Sequence, residues 1–231
     1  MYNILICDDE ADIVSALKIY LQAPDMKIFE ASNGVEALKV IENEDIHLLL
    51  LDIMMPKMSG IEVASILRER SNIPIILLSA KSEDSDKILG LNIGADDYIT
   101  KPFSPAEVIA RVRSQLRRYF MLGGSTGSEE RTVIGGLEMD DREKKVFVDG
   151  ADVALTPTEY EILRLLMNDP GRVFSPSEIY SAVWHEEAYG TDNTVAVHIR
   201  HLREKIEINP SDPRYLKVVW GQGYKIEKGA M

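Results

Sequence analysis

Asp52 closes the apolar run His47-Leu48-Leu49-Leu50-Leu51-Asp52, and Asp8 and Asp9 close another, Asn3-Ile4-Leu5-Ile6-Cys7. Ser79 ends the run Ile73-Pro74-Ile75-Ile76-Leu77-Leu78, and Lys101 follows Asp97-Tyr98-Ile99-Thr100. Such runs read as buried strands of a parallel sheet, and open α/β sheets bind ligands beyond the carboxyl ends of their strands. Three carboxylates, a lysine and a hydroxyl at that edge suit a hard divalent cation and a phosphoryl group. A carboxylate is a weak nucleophile, yet it attacks a phosphoryl donor once a cation neutralises the gathering charge. Mg²⁺ (or Mn²⁺) suits the role, because it takes oxygen ligands, keeps several waters and needs only one or two carboxylates. On this reading Asp52 ligates the cation and accepts the phosphoryl group. Asp9 is a direct ligand, Asp8 supports through water, and the backbone carbonyl of Met54 adds an oxygen. Lys101 meets a phosphoryl oxygen as a point charge, and the Ser79 hydroxyl faces the same place. The competing reading makes Asp8 and Asp9 helix caps, their commonest use, but capping accounts for neither the lysine nor the hydroxyl.

The elements that would position these groups are legible in the pattern. Strands are expected near 3–8, 26–31, 47–52, 73–80 and 97–100, with amphipathic helices near 10–22, 34–43, 60–69, 84–93 and 104–120. Five βα units imply an α/β, doubly wound parallel sheet. Gly123-Gly124-Ser125-Thr126-Gly127-Ser128-Glu129-Glu130 then breaks the pattern as a linker. The expected division is 1–121, a linker at 122–130, and a second domain at 131–231. In that domain strand-like pieces (Thr132–Met139, Lys145–Val148, Ala151–Ala154) precede helices near 157–168, 176–184 and 192–207. Leu216 to Ile226 reads as a hairpin around Gly221-Gln222-Gly223.

The chain has 231 residues, enough for two cores, and a formal net charge of −12, which argues against nonspecific nucleic-acid binding by the whole surface. Its single cysteine, Cys7, is expected in the core, as fits a reducing, cytoplasmic setting. No apolar run approaches the roughly 18 residues of a membrane span, and no signal peptide is expected.

Cys7-Asp8-Asp9-Glu10, Leu51-Asp52-Ile53-Met54-Met55-Pro56, Leu78-Ser79-Ala80 and Tyr98-Ile99-Thr100-Lys101-Pro102-Phe103 together resemble the signature of receiver domains of bacterial two-component response regulators. The resemblance spans residues 1–120. It implies a flavodoxin-like strand order 2-1-3-4-5, a cis bond between Lys101 and Pro102, and phosphorylation of Asp52 by a sensor histidine kinase. It also implies a switch in which Ser79 moves toward the phosphoryl group and Tyr98 swings inward. Met54, two residues past Asp52, orients water poorly, so self-dephosphorylation is expected to be slow.

A small apolar spot (Ile88, Leu91, Ala110) ringed by Lys87, Asp96, Asp97, Glu107, Arg111 and Arg118 resembles the symmetric dimer contact of the winged-helix subfamily. That likeness implies a homodimer on phosphorylation, with Lys87–Glu107, Asp97–Arg111 and Asp96–Arg118 pairs across the two-fold, each occurring twice. Read alone, the same residues are a solvated charged face.

In the segment Thr191 to Lys205, Val195, Ile199 and Leu202 mark a buried helix face. Thr194, His198, His201 and Lys205 are expected on the other side, flanked by Arg200 and Arg203, a pattern suited to the DNA major groove. Leu155-Thr156-Pro157-Thr158-Glu159-Tyr160 and Trp220-Gly221-Gln222-Gly223-Tyr224 are similar to the winged-helix effector domain of the OmpR/PhoB type. The likeness implies phosphate contacts from Thr194, His198, Arg200 and Arg203, base reading by Asn193 and His201, and backbone contacts from Arg214, Lys217, Tyr224 and Lys225. Trp220 stands where many relatives carry Arg, and it is expected to pack under the wing. The loop His185–Gly190 is a candidate for RNA polymerase. Residues 89–98 and Val219-Trp220-Gly221 look similar to VanR-type regulators. The overall expectation is a phosphorylation-dependent, promoter-binding transcriptional regulator and not an enzyme. The alternatives are a phosphohydrolase using an aspartyl-phosphate, which lacks an acid two residues after Asp52, and a regulator that dimerises without phosphate.

Overall fold

The computed structural model describes residues 1–80, 94–121, 131–185 and 192–229. The chain forms two compact units, Met1–Tyr119 and Phe120–Met231. The expected linker at 122–130 and the helix expected at 84–93 lie outside the described residues.

The first unit holds five parallel strands, β1 (Tyr2–Cys7), β2 (Met26–Ala31), β3 (Leu48–Asp52), β4 (Ile75–Ala80) and β5 (Asp97–Lys101). They lie in the order β2-β1-β3-β4-β5, as the resemblance implies. Four helices are described there: α1 (Ala11–Tyr20), α2 (Gly34–Asn43), α3 (Gly60–Arg68) and α4 (Pro105–Met121). Side chains alternate across a strand, so β1, β3 and β4 each supply two cores. Leu5, Cys7, Leu49, Leu51, Ile75 and Leu77 pack with Ala37 of α2 and Val63, Ala64 and Leu67 of α3. Ile4, Ile6, Leu48, Leu50, Ile76 and Leu78 pack with Val14 and Leu17 of α1 and Val108, Val112 and Leu116 of α4. Burial on both faces is why these strands read as unbroken apolar runs.

The second unit opens with an antiparallel sheet of β6 (Arg131–Ile134), β7 (Leu137–Asp140), β8 (Lys145–Val148) and β9 (Ala151–Val153). The stretch expected as one strand over Thr132–Met139 is two, because Gly135, at φ 61°, turns the chain with Gly136 into a hairpin. Then come α5 (Pro157–Asn168), α6 (Pro176–Trp184), α7 (Asp192–Ile206) and the hairpin β10 (Leu216–Val219) and β11 (Gly223–Ile226). Both α5 and α6 begin with proline after a capping box, Thr156 with Glu159 and Ser175 with Glu178. Each box satisfies two backbone donors that the first helical turn leaves open. The three helices close over a core of Ile162, Leu166, Ile179, Trp184, Val195, Ile199 and Leu202.

Candidate phosphoacceptor site and DNA-binding face

The parallel order brings the carboxyl ends of β1, β3, β4 and β5 side by side, and with them Asp8, Asp52, Ser79 and Lys101. Lys101 Nζ lies 2.8 Å from Asp8 Oδ2 and 2.8 Å from Asp52 Oδ1, and 3.3 Å from Glu10 Oε1. Asp8 and Asp52 are both buried. Two buried carboxylates at one point repel each other, and the ammonium between them offsets that repulsion. Asp52 Oδ2 also accepts the Met54 backbone N–H at 2.8 Å. Asp8 Oδ1 accepts the Glu10 N–H, while Glu10, the residue preceding α1, makes no side-chain cap. Asp8 therefore faces the site instead of capping the helix.

Local backbone geometry holds Asp52 in place. Gly60 begins α3 directly on the end of β3: a Cβ there would lie 2.1 Å from the Asp52 carbonyl oxygen, and its N–H donates to Ile53 O. Ser59 starts that helix with a capping box to Glu62. At the neighbouring strand end the Ser79 hydroxyl is buried without a hydrogen-bond partner among the described residues. The bond from Lys101 to Pro102 is cis.

Burial pushes the Asp52 carboxyl above its ordinary value of 3.8, outweighing the opposing Lys101 ammonium. Burial alone would lower Lys101, but its hydrogen bonds to Asp52 and Asp8 hold it well above the ordinary lysine range. Cys7, under the acids, is pushed up to about 12, first by burial and then by Asp8 and Asp52. It is an inert thiol whose Sγ lies 3.4 Å from Met55 Sδ.

Asp9 is exposed, and Met54 is 75% exposed. Asp8 and Asp9 line a cleft of about 330 Å³ together with Glu30, Ser32 and Glu36. Glu10, whose place after Asp8-Asp9 in the motif is its only signal in the sequence, lies within reach of Lys101. Among the described residues no three acidic, histidine or cysteine side chains close a metal shell by themselves. The donor set is that of a cation which keeps much of its water, as Mg²⁺ does.

In the second unit the exposed face of α7 differs from the expected one. Thr194, His198 and His201 are buried. The His198 ring lies 5.6 Å from Trp184 of α6 and 6.4 Å from His201. At 3.6 residues per turn, the stripe 194, 198, 201, 205 sits roughly 90° from the apolar stripe, not opposite it. Helix α6 covers that flank. Lys205 Nζ is held 2.7 Å from Glu159. The side of α7 opposite the core carries Ala196, Arg200 and Glu204, with Arg200 bridging Glu204 at 2.8 Å and Arg203 half-buried beside them. Asn193 belongs to α7, and its side chain lies outside the described residues. Arg214 reaches Asp149 at 3.5 Å, Lys225 pairs with Glu227 at 2.9 Å, and Tyr224 packs against the core. Trp220, expected under the wing, is 88% exposed at its tip, because the turn at Gly221 (φ 73°) carries it clear of both strands.

The two units match two family models: "Response regulator receiver domain" over residues 4–113 and "Transcriptional regulatory protein, C terminal" over 150–226. The regulatory protein VanR of Enterococcus faecium is 43% identical over 98% of this chain and 99% of its own. The alkaline phosphatase synthesis transcriptional regulatory protein PhoP of Bacillus subtilis is 43% identical over 99% of this chain and 98% of its own. The crystal structure of DrrB, a Thermotoga maritima OmpR/PhoB homologue, superposes with a TM-score of 0.50 at 30% identity, covering 98% of this chain and 99% of that one. The chain belongs to the OmpR/PhoB-type response regulators. It is a phosphorylation-dependent transcriptional regulator with a receiver domain and a winged-helix DNA-binding domain. No helix among the described residues is long and apolar enough to cross a membrane.

The regulator's charged receiver face is arranged differently from the expectation. Lys87, Ile88 and Leu91 lie outside the described residues. Asp97 takes two bonds of 3.0 Å from Arg111 of its own chain, and Arg111 also reaches Glu107 at 3.3 Å. Asp96 is wholly buried, with Arg68 Nη2 at 2.7 Å and the Ile75 N–H at 2.9 Å on the same oxygen. The same guanidinium donates to the carbonyls of Gly94, Ser71 and Ile73. This carboxylate is an internal fastener of the β4 and β5 starts, so it leaves the exposed dimer set. Arg118 is also buried and donates to Ser114 Oγ at 3.0 Å, while Ala110 is exposed.

Proposed function

We propose that Asp52 accepts a phosphoryl group from a sensor histidine kinase in the cytoplasm. The observation that carries this reading is the single ammonium of Lys101 shared at 2.8 Å by the buried carboxylates Asp8 and Asp52. Asp9, Asp52 and the Met54 carbonyl, with Asp8 through water, would hold Mg²⁺ or Mn²⁺, which would supply neutralising charge to the incoming phosphoryl oxygens. Asp52 Oδ attacks phosphorus, the kinase histidine leaves, and Lys101 stays to bind a phosphoryl oxygen. The buried Ser79 hydroxyl gains a partner in that group, and Tyr98, half-buried on β5, follows it inward. The exposed thioether of Met54 gives an attacking water no hydrogen-bond acceptor of strength, so the phosphorylated form decays slowly.

The signal then passes to a receiver homodimer formed through Glu107, Ala110 and Arg111 with Lys87, Ile88 and Leu91, and to promoter DNA. Arg200 and Asn193 of α7 enter the major groove, Arg203 being turned back to donate to the Leu216 carbonyl, and Arg214, Lys217 and Lys225 follow the backbone. RNA polymerase is assigned the segment at 185–190, of which 186–190 lie outside the described residues. The test is intact-mass and peptide mapping of the full chain after incubation with MgCl₂ and acetyl phosphate. One phosphoryl group on Asp52, and none on Asp52→Asn, is expected. An equally phosphorylated Asp52→Asn would overturn the assignment.

A further inference from the structure

Sulfur surrounds the phosphoacceptor, and most of it is shut away. Cys7, at the end of β1, is fully buried, and its thiol is pushed up to about 12, so it keeps its proton and reacts poorly with oxidants. Met55 is half-buried, with its sulfur 3.4 Å from Cys7 Sγ. Met58 packs on the same core, where its Cγ would lie 2.9 Å from a Cβ on Gly34. Of these residues only Met54 is open to solvent, at 75% exposure.

The backbone fixes where that open sulfur can act. The Met54 N–H donates to Asp52 Oδ2 at 2.8 Å, so with an N–Cα bond of about 1.46 Å its Cα lies no more than about 4.3 Å from the carboxylate. An unbranched side chain with three rotatable bonds is long enough to reach from there over a phosphoryl group on Asp52.

The oxidation state of the sulfur decides what it does in that place. A thioether is a weak acceptor. Hydrogen peroxide oxidises it by two electrons. The sulfur lone pair bonds to one peroxide oxygen, the O–O bond breaks, and the bonded oxygen passes its proton to the other, which leaves as water. The sulfoxide is uncharged, so it does not repel the phosphoryl oxygens, yet its polarised S–O bond accepts a hydrogen bond. It can hold a water by one O–H and leave the water's lone pair facing phosphorus. The water oxygen then bonds to phosphorus, and the bond to Asp52 breaks with its electron pair on the carboxylate. The water's protons go to the phosphate and to solvent. The backbone bond from Met54 to Asp52 is untouched throughout.

Building on the reading of Asp52 as the phosphoacceptor, we propose that Met54 is a site of reversible oxidation by peroxide, and that its sulfoxide orients the water that hydrolyses phosphorylated Asp52, so that an oxidant shortens the signal. A methionine sulfoxide reductase restores the thioether by oxidising two thiols to a disulfide and releasing the oxygen as water.

The full-length regulator is treated with hydrogen peroxide, quenched with free methionine, phosphorylated with acetyl phosphate and MgCl₂, and freed of the donor. Peptide mapping should find Met54 oxidised ahead of the buried Met139 and Met167. Decay of the phosphorylated mass should be about tenfold faster than in the untreated protein, the worth of one well-placed hydrogen bond. Reductase and dithiothreitol should restore the slower decay. Met54→Leu, compared with its own untreated sample, should show no acceleration, which separates Met54 from every other methionine. Met54 converted without faster decay would overturn the proposal alone, as would equal acceleration in Met54→Leu, or a Met54 no more reactive than Met139 and Met167. An untreated wild type that takes up no phosphoryl group would overturn the Asp52 reading and this proposal together.

Discussion

Lys101 Nζ stands 2.8 Å from Asp52 Oδ1 while standing equally close to Asp8 Oδ2, so one ammonium serves both buried carboxylates. Replacing it with a neutral chain of similar length leaves two like charges facing each other. Lys101→Met should lower stability by about 2 kcal/mol, toward the lower end for a buried pair because the side chain keeps some contact with water. The same change should strengthen Mg²⁺ binding, since a competing cation is gone. Isothermal titration with MgCl₂ checks this, and unchanged or weaker binding would count against the shared-charge account.

The raised carboxyl of Asp52 has two consequences of fixed sign. The folded chain holds this proton more tightly than the unfolded chain, whose value is 3.8. The group's stabilising contribution is therefore fully present below 3.8 and is lost as pH rises through the folded value. Asp52→Asn should raise the urea midpoint at neutral pH. Phosphorylation by acetyl phosphate, which needs the ionised carboxylate, should fail on acidification while the pH is still above 3.8. Initial rates across a pH series, and urea curves of both proteins, provide the measurement.

Met54 donates its backbone N–H to Asp52 while its side chain is in solvent. An amide or carboxylate at this position can orient water against the phosphoryl group without disturbing the backbone bond. Met54→Asn and Met54→Glu should each shorten the phosphorylated lifetime by about tenfold with little change in thermal midpoint, read as the decay of the phosphorylated mass after removal of the donor.

The Arg68–Asp96 pair ties the end of α3 to the starts of β4 and β5. Arg68→Ala leaves a wholly buried carboxylate without its counter-charge and should cost about 3 kcal/mol in urea unfolding of the receiver. A loss below about 1 kcal/mol would show that the pair contributes little.

On the DNA side, Arg200 is the most exposed of the assigned α7 cations. Arg200→Ala should weaken binding across sequences and reduce the salt slope by about 1. His198→Ala should act chiefly on stability, because that ring packs on Trp184.

The receiver was legible because a doubly buried parallel sheet writes itself as apolar runs, and because each run ends in the residue that forms the site. Asp8, Asp52, Ser79 and Lys101 therefore came together as read. What escaped the reading depended on distant partners or fine angles. Asp96 looked like a surface acid because its partner, Arg68, lies 28 positions earlier at the end of α3. Thr194, His198 and His201 looked exposed because polarity does not reveal that α6 covers the flank of α7. Gly135-Gly136 is a hairpin signal masked by the apolar residues on both sides of it. Trp220 looked like core by type, whereas its place in a tight turn decided its exposure.

Control of DNA binding by Asp52 is read most directly in a titration of the full-length regulator against a selected duplex, with and without MgCl₂ and acetyl phosphate, for wild type and Asp52→Ala. Tighter, dimeric binding is expected for the phosphorylated wild type alone. Equal affinity and stoichiometry in all four conditions would contradict it, leaving a DNA-binding protein in which Asp52 controls nothing.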